Sequence, residues 1–252
     1  MHKRIALITG ATSGIGLATA HLLAKNNFKL IICGRRKDRL AREKALLGDF
    51  TEVHTLTFDV RDQQAVKKAF ESLPDNWKAI DVLINNAGNA HGLDPIQSGD
   101  VRDWDAMIDI NVKGLLYISK EVIPGMTTRK SGHIINMSSI AGKEVYPNGN
   151  VYSASKFAVD ALTKGMRMDL NPFGIKVTSI NPGLVETEFS LVRFKGDQTR
   201  AGSVYKGFKP LLADDIANVI LFVLQQPDHV MLADITVFPT AQASSTLVKK
   251  EV

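Results

Sequence analysis

Tyr152 and Lys156 stand four residues apart at the start of a segment with helical period, so both side chains fall on one face. A phenol titrates at about pH 10 and is a poor base at neutral pH unless a fixed cation stabilises its phenolate, each tenfold gain in acidity requiring about 1.4 kcal/mol. Lys156 is placed to supply that cation, although the same spacing also describes an ordinary surface pair. A third group comes from Ser139, thirteen residues before Tyr152, which follows an apolar run at 134–137 that reads as a strand. Its hydroxyl would then sit at the carboxyl end of a sheet, where α/β folds bind ligands. Ser138 competes for the same role, and a serine after a strand is also a common turn or cap residue. A serine hydrolase is disfavoured, because neither serine lies in G-x-S-x-G and no acid and histidine partners are evident.

Such groups need elements to hold them, and the chain alternates short apolar runs with longer stretches of helical period. Strands are expected at 4–8, 28–33, 53–58, 80–84, 133–137, 175–180 and 235–238, with helices between them, the first two at 17–25 and 38–47. Runs that are apolar on both faces belong to strands covered on both sides. The fold expected is therefore α/β, a doubly wound parallel sheet of Rossmann type with helices on both faces. No linker, charge block or repeat divides the chain, so 1–252 reads as a single domain. Residues 184–209 lack a clear period and mix Phe, Arg, Lys and Gly, a length and character expected of a lid. The polar tail at 241–252 reads either as a fraying end or as a segment that docks on a partner subunit.

The first expected strand runs into Thr9-Gly10-Ala11-Thr12-Ser13-Gly14-Ile15-Gly16, whose glycines would let backbone N–H groups approach a pyrophosphate at the positive end of the next helix. The spacing is not G-x-G-x-x-G, and glycine also serves ordinary tight turns. The absence of G-x-x-x-x-G-K-[ST] argues against a nucleotide triphosphatase loop. About twenty residues further on, where a dinucleotide fold places the group that meets the adenine ribose, stand Arg35 and Arg36 instead of a carboxylate. A carboxylate would repel a 2′-phosphate, whereas guanidiniums bind one, each charged hydrogen bond contributing about 1.5–3 kcal/mol. The expected cofactor is NADP(H).

Composition closes off other classes. With 252 residues, 44% of them hydrophobic and 23% charged, the chain can bury a large core and has no disordered character. The formal charge of +5 comes from scattered Lys and Arg without a reader motif, so nucleic-acid binding is not expected. No apolar run is long enough to cross a bilayer, the longest candidate, 219–224, reading as part of a buried helix. His2-Lys3-Arg4 followed by apolar residues imitates a secretory signal, but Thr9, Gly10, Thr12, Ser13, Gly14 and Gly16 interrupt it, and a cytoplasmic protein is expected. The single cysteine, Cys33, excludes an intrachain disulfide, and neither Cys nor His recurs at metal-ligand spacing.

Taken together, Thr9 to Gly16, Asn85-Asn86-Ala87-Gly88, Asn111, Ser139, Tyr152-Ser153-Ala154-Ser155-Lys156 and Asn181-Pro182-Gly183 resemble the short-chain dehydrogenase/reductase family in order and spacing over nearly the whole chain. The resemblance implies Tyr152 as general acid/base, Lys156 as the residue that lowers its pKa and holds the nicotinamide ribose, and Ser139 as hydrogen-bond partner of the substrate oxygen. It implies that Asn111 positions a water linking Lys156 to solvent; the alternative is a helix residue satisfied by backbone groups. It implies cofactor contacts from Gly10, Thr12, Ser13, Gly14, Ile15, Gly16, Asp59, Val60, Asn86, Ala87 and Gly88, and from Pro182, Gly183, Val185 and Thr187 of a nicotinamide loop. It also implies a homotetramer, with 105–126 and 152–170 at a subunit interface.

A narrower resemblance, to the NADP-dependent 3-hydroxy acid dehydrogenase branch that includes serine and allo-threonine dehydrogenases and malonic semialdehyde reductases, rests on three stretches. These are Gly34-Arg35-Arg36 with Asp38-Arg39-Leu40, Ser72-Leu73-Pro74 with Trp77 before Ile80-Asp81-Val82-Leu83, and Pro182-Gly183-Leu184-Val185 leading through Thr187-Glu188-Phe189 to Val192-Arg193-Phe194-Lys195-Gly196-Asp197. A small carboxylate substrate is implied. Arg193 is suited to a bidentate grip on it, the alternative being that Arg193 and Lys195 only solvate the lid. His91, after a departure from the pattern at Asn89-Ala90, either approaches the substrate or faces solvent. The competing readings are an NADPH-dependent ketone or 3-oxoacyl reductase with a larger substrate and, in another class, a non-catalytic NADP(H)-binding sensor.

Overall fold

In the strand Arg4–Thr9 (β1), Ile5 and Leu7 bury into one hydrophobic cluster while Ala6 and Ile8 bury into another. The next strand, Phe28–Gly34 (β2), repeats the division, with Ile31 and Cys33 on one side and Leu30 and Ile32 on the other. Side chains alternate across a pleated sheet, so strands that are apolar at every position require cover on both faces. The computed structural model describes residues 3–251 and supplies that cover. His2 of the leader-like segment and Val252 of the tail lie outside the described residues.

After β1 comes helix Gly14–Ala24 (α1), and after β2 helix Lys37–Gly48 (α2), strand Val53–Thr57 (β3), helix Gln63–Glu71 (α3) and strand Ile80–Asn85 (β4). Helices Val101–Ile108 (α4) and Leu115–Arg129 (α5) lead to strand His133–Met137 (β5), helix Asn150–Leu170 (α6) and strand Lys176–Pro182 (β6). The remaining elements are Val185–Glu186 (β7), Phe189–Arg193 (α7), Gln198–Ser203 (α8), Leu211–Leu212 (β8), Ala213–Leu224 (α9) and Asp234–Val237 (β9). Seven strands pair in the order β3-β2-β1-β4-β5-β6-β9, every pairing parallel. One face is closed by α1, α2 and α9 through Leu23, Leu40, Leu47, Ile216, Ile220 and Val223, and the other by α3, α5 and α6 through Val66, Phe70, Ile118, Val122 and Leu170. This is the doubly wound sheet expected, and each fully buried Leu or Ile contributes about 1.5–3 kcal/mol.

The strand order reverses between β1 and β4, which opens a crevice at their carboxyl ends, the place where open α/β sheets bind ligands. Two segments differ from the sequence expectation. Residues 184–209 are not devoid of regular structure, since β7, α7 and α8 lie within them and β7 pairs in parallel with β8. The elements are too short to show a period. The tail does not fray: Lys249 N donates to Ala241 O at 2.8 Å, Ser245 N to Glu144 Oε2 at 2.8 Å and Glu251 N to Gly207 O at 2.6 Å. The first closes the tail on itself, the second ties it to Glu144 and the third ties its end to the 184–209 segment.

Candidate active site

The turn between β1 and α1 is shaped by two glycines with different tasks. Gly10 has φ +68°, a left-handed conformation that disfavours other residues. Gly16 lies against the turn so closely that a Cβ there would stand 2.4 Å from Asn86 Nδ2 and 2.6 Å from Gly10 O. Asn86 Nδ2 donates to Thr9 O at 2.9 Å, while Thr9 Oγ1 accepts from Asn86 N and Ala87 N, each at 3.0 Å. The turn is thereby fixed to the end of β4. Ser13, the N-cap of α1, makes no side-chain cap bond, so the first N–H groups of that helix face the crevice without an internal partner. The crevice is a cavity of about 450 Å³ running from Arg36 past Ile15, Asp59 and Gly88 to Ser139 and Tyr152. Its wall at the far end is Pro182, Gly183, Val185 and Thr187. A long, close-lined groove with an anion-accepting helix end fits a dinucleotide.

The expected cofactor residues thus converge, but the arginines divide. Arg35 Nη1 points to Asp59 Oδ2 at 3.3 Å, and Asp59 is also gripped by Arg61. Burial opposes ionisation of Asp59, yet the two guanidiniums hold its carboxyl below its ordinary range. Arg36 Nη2 donates to Thr12 Oγ1 at 2.8 Å and Ser13 Oγ at 2.9 Å. Its Nη1 meets Glu188 Oε2 at 3.2 Å, while Arg39 meets the other oxygen of Glu188 at 3.0 Å. Two guanidiniums therefore share one anionic group at this end of the groove, and the position of Arg39 in the sequence gives no sign of a binding role.

At the other end, α6 begins with Tyr152 and Lys156 facing the groove, both buried. Lys156 Nζ donates to Met137 O at 2.9 Å and lies 5.9 Å from the centroid of the Tyr152 ring. Burial pulls this ammonium down to about 8. Tyr152 is pushed up to about 12, by burial first and by Tyr146 second, with Arg193 and Ser139 opposing. The phenol is thus protonated at neutral pH. Spacing alone assigns the role of opposing cation to Lys156, whereas Arg193 of α7 is nearer, its Cζ standing 4.9 Å from the same centroid.

The two candidate serines both border the groove and differ in their bonds. Ser138 Oγ is buried and donates to Lys156 O at 3.2 Å, while Ser139 caps the turn Ile140–Gly142 by accepting from Ala141 N at 3.1 Å and keeps its hydroxyl in the groove. Asn111 lies in a π-helical turn, Asp109–Gly114, a distortion common at functional sites. Its amide exchanges hydrogen bonds with both backbone groups of Asn89, each at 2.9 Å, and donates to Ser155 Oγ at 2.9 Å. Two of its three bonds are thus to backbone groups and the third is to a side chain. Even so, a Cβ on Gly88 would lie 3.0 Å from Asn111 Oδ1 and 3.4 Å from Lys156 Nζ, so both polar groups border the space that this glycine leaves free. Val60 packs beside this turn, where a Cβ on Gly114 would come within 2.8 Å of its Cγ2.

Arg193 stands over Tyr152, Phe189 at 5.4 Å and Tyr146 at 5.7 Å, and donates through Nη2 to the Tyr146 hydroxyl. Its Nε is buried with no hydrogen-bond partner. Lys195 turns away to Asp103 at 2.9 Å. His91 lines a separate small cavity with Asp103 and Trp104 on the outer side of Tyr152. Two further site residues carry no sequence signal. Tyr146 lies in an aperiodic loop, and Gln242 in a polar tail that shows no period. Gln242 accepts from Leu184 N at 2.8 Å and supports the Gly183 turn, where a Cβ would stand 2.3 Å from its Oε1.

Comparison with known proteins gives this arrangement its family. The profile of the family described as short chain dehydrogenase matches residues 4–197. A probable NADP-dependent dehydrogenase of Haemophilus influenzae is 46% identical over 244 residues, covering 96% of each chain. A serine 3-dehydrogenase of Rhizobium radiobacter is 44% identical over 237 residues, covering 94% of each. Among solved structures, the closed form of a serine dehydrogenase complexed with NADP+ superposes with a TM-score of 0.92 at 40% identity, over 98% of this chain and 100% of that one. With a family profile over most of its length and relatives of this identity from end to end, the chain belongs to the short-chain dehydrogenase family.

Proposed function

We propose that this enzyme moves a hydride between NADP(H) and a small 3-hydroxy acid of the serine, allo-threonine or 3-hydroxypropionate type, or the matching 3-oxo acid or semialdehyde. NADP(H) is the cofactor of this dehydrogenase, and the protein acts on a CH–OH group. The observation that carries the substrate class is Arg193: a buried guanidinium nitrogen without a partner, on the wall of the groove and stacked on Tyr152. A small carboxylate held there leaves its 3-oxygen within the space bounded by Ser139 and Tyr152. An unpaired buried charged donor costs about as much as a lost charge-assisted bond, and a carboxylate relieves that cost.

When bound, the nicotinamide supplies or accepts the hydride. The glycine turn, Asn86 and the Pro182 to Thr187 loop hold it in register with the substrate carbon, which makes the encounter effectively unimolecular. Arg35 and Arg36 answer the 2′-phosphate, with Arg39 joined to Arg36 through Glu188. Lys156 holds the nicotinamide ribose, and its ammonium favours the phenolate of Tyr152. Tyr152 gives a proton to the substrate oxygen in reduction and takes it back in oxidation, a contribution of about 10²–10⁴-fold. Ser139 donates to the same oxygen and steadies it. Asn111 borders the path by which Lys156 exchanges its proton with solvent. The segment 184–209 acts as a lid that carries Arg193 to the substrate. It does so within one catalytic domain formed by the whole chain.

We also place the protein in the cytoplasm, in keeping with its lone buried Cys33, and as a homotetramer joined through α5 and α6. Leu116, Phe157 and Met168 on those helices are 38%, 41% and 72% exposed, which leaves apolar surface for a partner. Among the described residues no helix is long and apolar enough to cross a membrane. The function is tested by following NADP+ reduction with L-serine, allo-threonine, 3-hydroxypropionate and neutral alcohols, and NADPH oxidation with malonic semialdehyde. The acids should exceed neutral alcohols in kcat/KM by at least about tenfold, the worth of one charge-assisted bond. Preference for larger neutral ketones would assign the enzyme to the ketone or 3-oxoacyl reductases instead.

A further inference from the structure

The Arg193 guanidinium is held over the Tyr152 ring rather than beside it. Its Cζ is 4.9 Å from the ring centroid, nearer than the Lys156 ammonium at 5.9 Å. Two bonds fix it there: Gly92 N donates to Arg193 O at 3.0 Å, and Arg193 Nη2 donates to the Tyr146 hydroxyl. A full positive charge at such a distance in a buried site acts on the ionisation of the phenol, because charges interact strongly where water is excluded. Of the other groups around Tyr152, Lys156 is the one that carries a positive charge, and it stands farther from the ring. Tyr146 and Ser139 are neutral, Lys156 points its Nζ at Met137 O, and His91 is biased to its neutral form by burial. Across the small cavity, Asp94 carries a negative charge, while Asp100 is answered by Arg102 and Asp103 by Lys195.

We propose that Arg193 is a second cation acting on the Tyr152 hydroxyl, and that a substrate carboxylate bound to Arg193 sets the proton affinity of that hydroxyl. The proposal rests on the carboxylate reading above and extends it from binding to chemistry. Alone, Arg193 stabilises the phenolate. With a carboxylate across it the local charge falls to near zero, and the phenolate loses that support. A bound acid therefore tightens the hold of Tyr152 on its proton. In reduction the carbonyl carbon takes hydride from NADPH, the Tyr152 O–H bond breaks as a new O–H bond forms on the substrate oxygen, and Tyr152 is left as phenolate beside Lys156. The lid residue thus serves both to recognise the acid and to time its proton transfer. Opposition of burial by Arg193 at Tyr152 agrees with this assignment.

The test uses Arg193→Gln and Arg193→Lys with two readouts. The first is the pH dependence of NADP+-linked oxidation. In the wild type, the rising limb for 3-hydroxypropionate should lie at higher pH in kcat than in kcat/KM, whereas a neutral alcohol should give coincident limbs. Arg193→Gln should move the kcat/KM limb to higher pH by about one unit, and Arg193→Lys should restore most of it. The second readout needs no turnover: tyrosinate absorbance between about pH 9 and about pH 12, with the signal of Tyr152 isolated by subtracting Tyr152→Phe, followed in the protein with and without NADP+. It should shift in the same direction. Limbs and absorbance unchanged by Arg193→Gln would overturn the proposal. If both shift while KM for 3-hydroxypropionate stays at its wild-type value, the coupling of Arg193 to Tyr152 stands and the carboxylate half falls, together with the substrate class proposed above. If KM rises and neither readout moves, the substrate class stands and the coupling falls.

Discussion

Lys156 Nζ donates to the carbonyl oxygen of Met137 at 2.9 Å, which ties a buried ammonium to the last residue of β5. Burial sets its titration at about 8, so the charge is present below that pH and lost above it. Reduction needs both the Tyr152 phenol and the Lys156 ammonium. Carbonyl reduction should therefore be level at neutral pH and fall as pH rises through about 8. Lys156→Met should remove the limb and lower kcat by about a hundredfold, as read from initial rates across a pH series.

Arg36 and Arg39 converge on the carboxylate of Glu188, at 3.2 Å and 3.0 Å. The three side chains are partly exposed, so the pairs themselves add little stability. Arg36→Ala or Arg39→Ala should raise KM for NADPH about tenfold or more while leaving KM for NADH within about twofold. Arg35→Ala should act in the same direction, because that guanidinium lines the same end of the groove. Glu188→Gln removes a competing anion and should lower KM for NADPH. Equal changes for the two cofactors would refute the assignment.

Gln242 supports the nicotinamide loop from the tail. Its replacement by Ala leaves Leu184 N without its acceptor and should destabilise the protein by about 1–3 kcal/mol. Thermal unfolding measures the loss. Limited proteolysis should find earlier cleavage within 184–209, while NADPH affinity drops with it.

His133 is buried in β5 and bonded to Thr178 Oγ1 at 2.9 Å. Burial, followed by the positive charges of Lys176 and Arg4, depresses it to about 3. The unfolded chain, titrating at about 6.5, then binds more protons than the folded one between these limits, so stability is lost as pH falls below about 6.5. The loss should reach roughly 2 kcal/mol by about pH 5 in denaturant titrations. His133→Gln should flatten that slope.

The sheet was legible because the centres of β1, β2 and β4 are near-continuous apolar runs, while β3, β5, β6 and β9 carry polar residues such as His54, Asn136, Ser179 and Asp234 and were readable from their alternation with helical segments. The helix starts were less exact: α1 begins at Gly14, three residues before the apolar period, because a glycine turn feeds it directly. Spacing put Tyr152 and Lys156 on one helix face and left Ser138 and Ser139 as rivals after a strand; their roles came from the resemblance in order and spacing of all the motifs together. Arg39, Glu188, Tyr146 and Gln242 were not legible as site residues. Their partners are 47 to 152 residues away in sequence, and only tertiary packing joins α2 to the lid or the tail to Leu184. The acidity of Tyr152 was likewise hidden, because burial and the stacked Arg193 act through space.

Tyr152→Phe is the most direct test, since it removes one oxygen and leaves the ring that packs against Phe189 at 5.6 Å. NADPH binding, read by fluorescence titration, should stay within about twofold of wild type, while single-turnover hydride transfer to malonic semialdehyde should slow by about 10²-fold or more. Turnover retained with the phenol gone would contradict proton transfer by Tyr152.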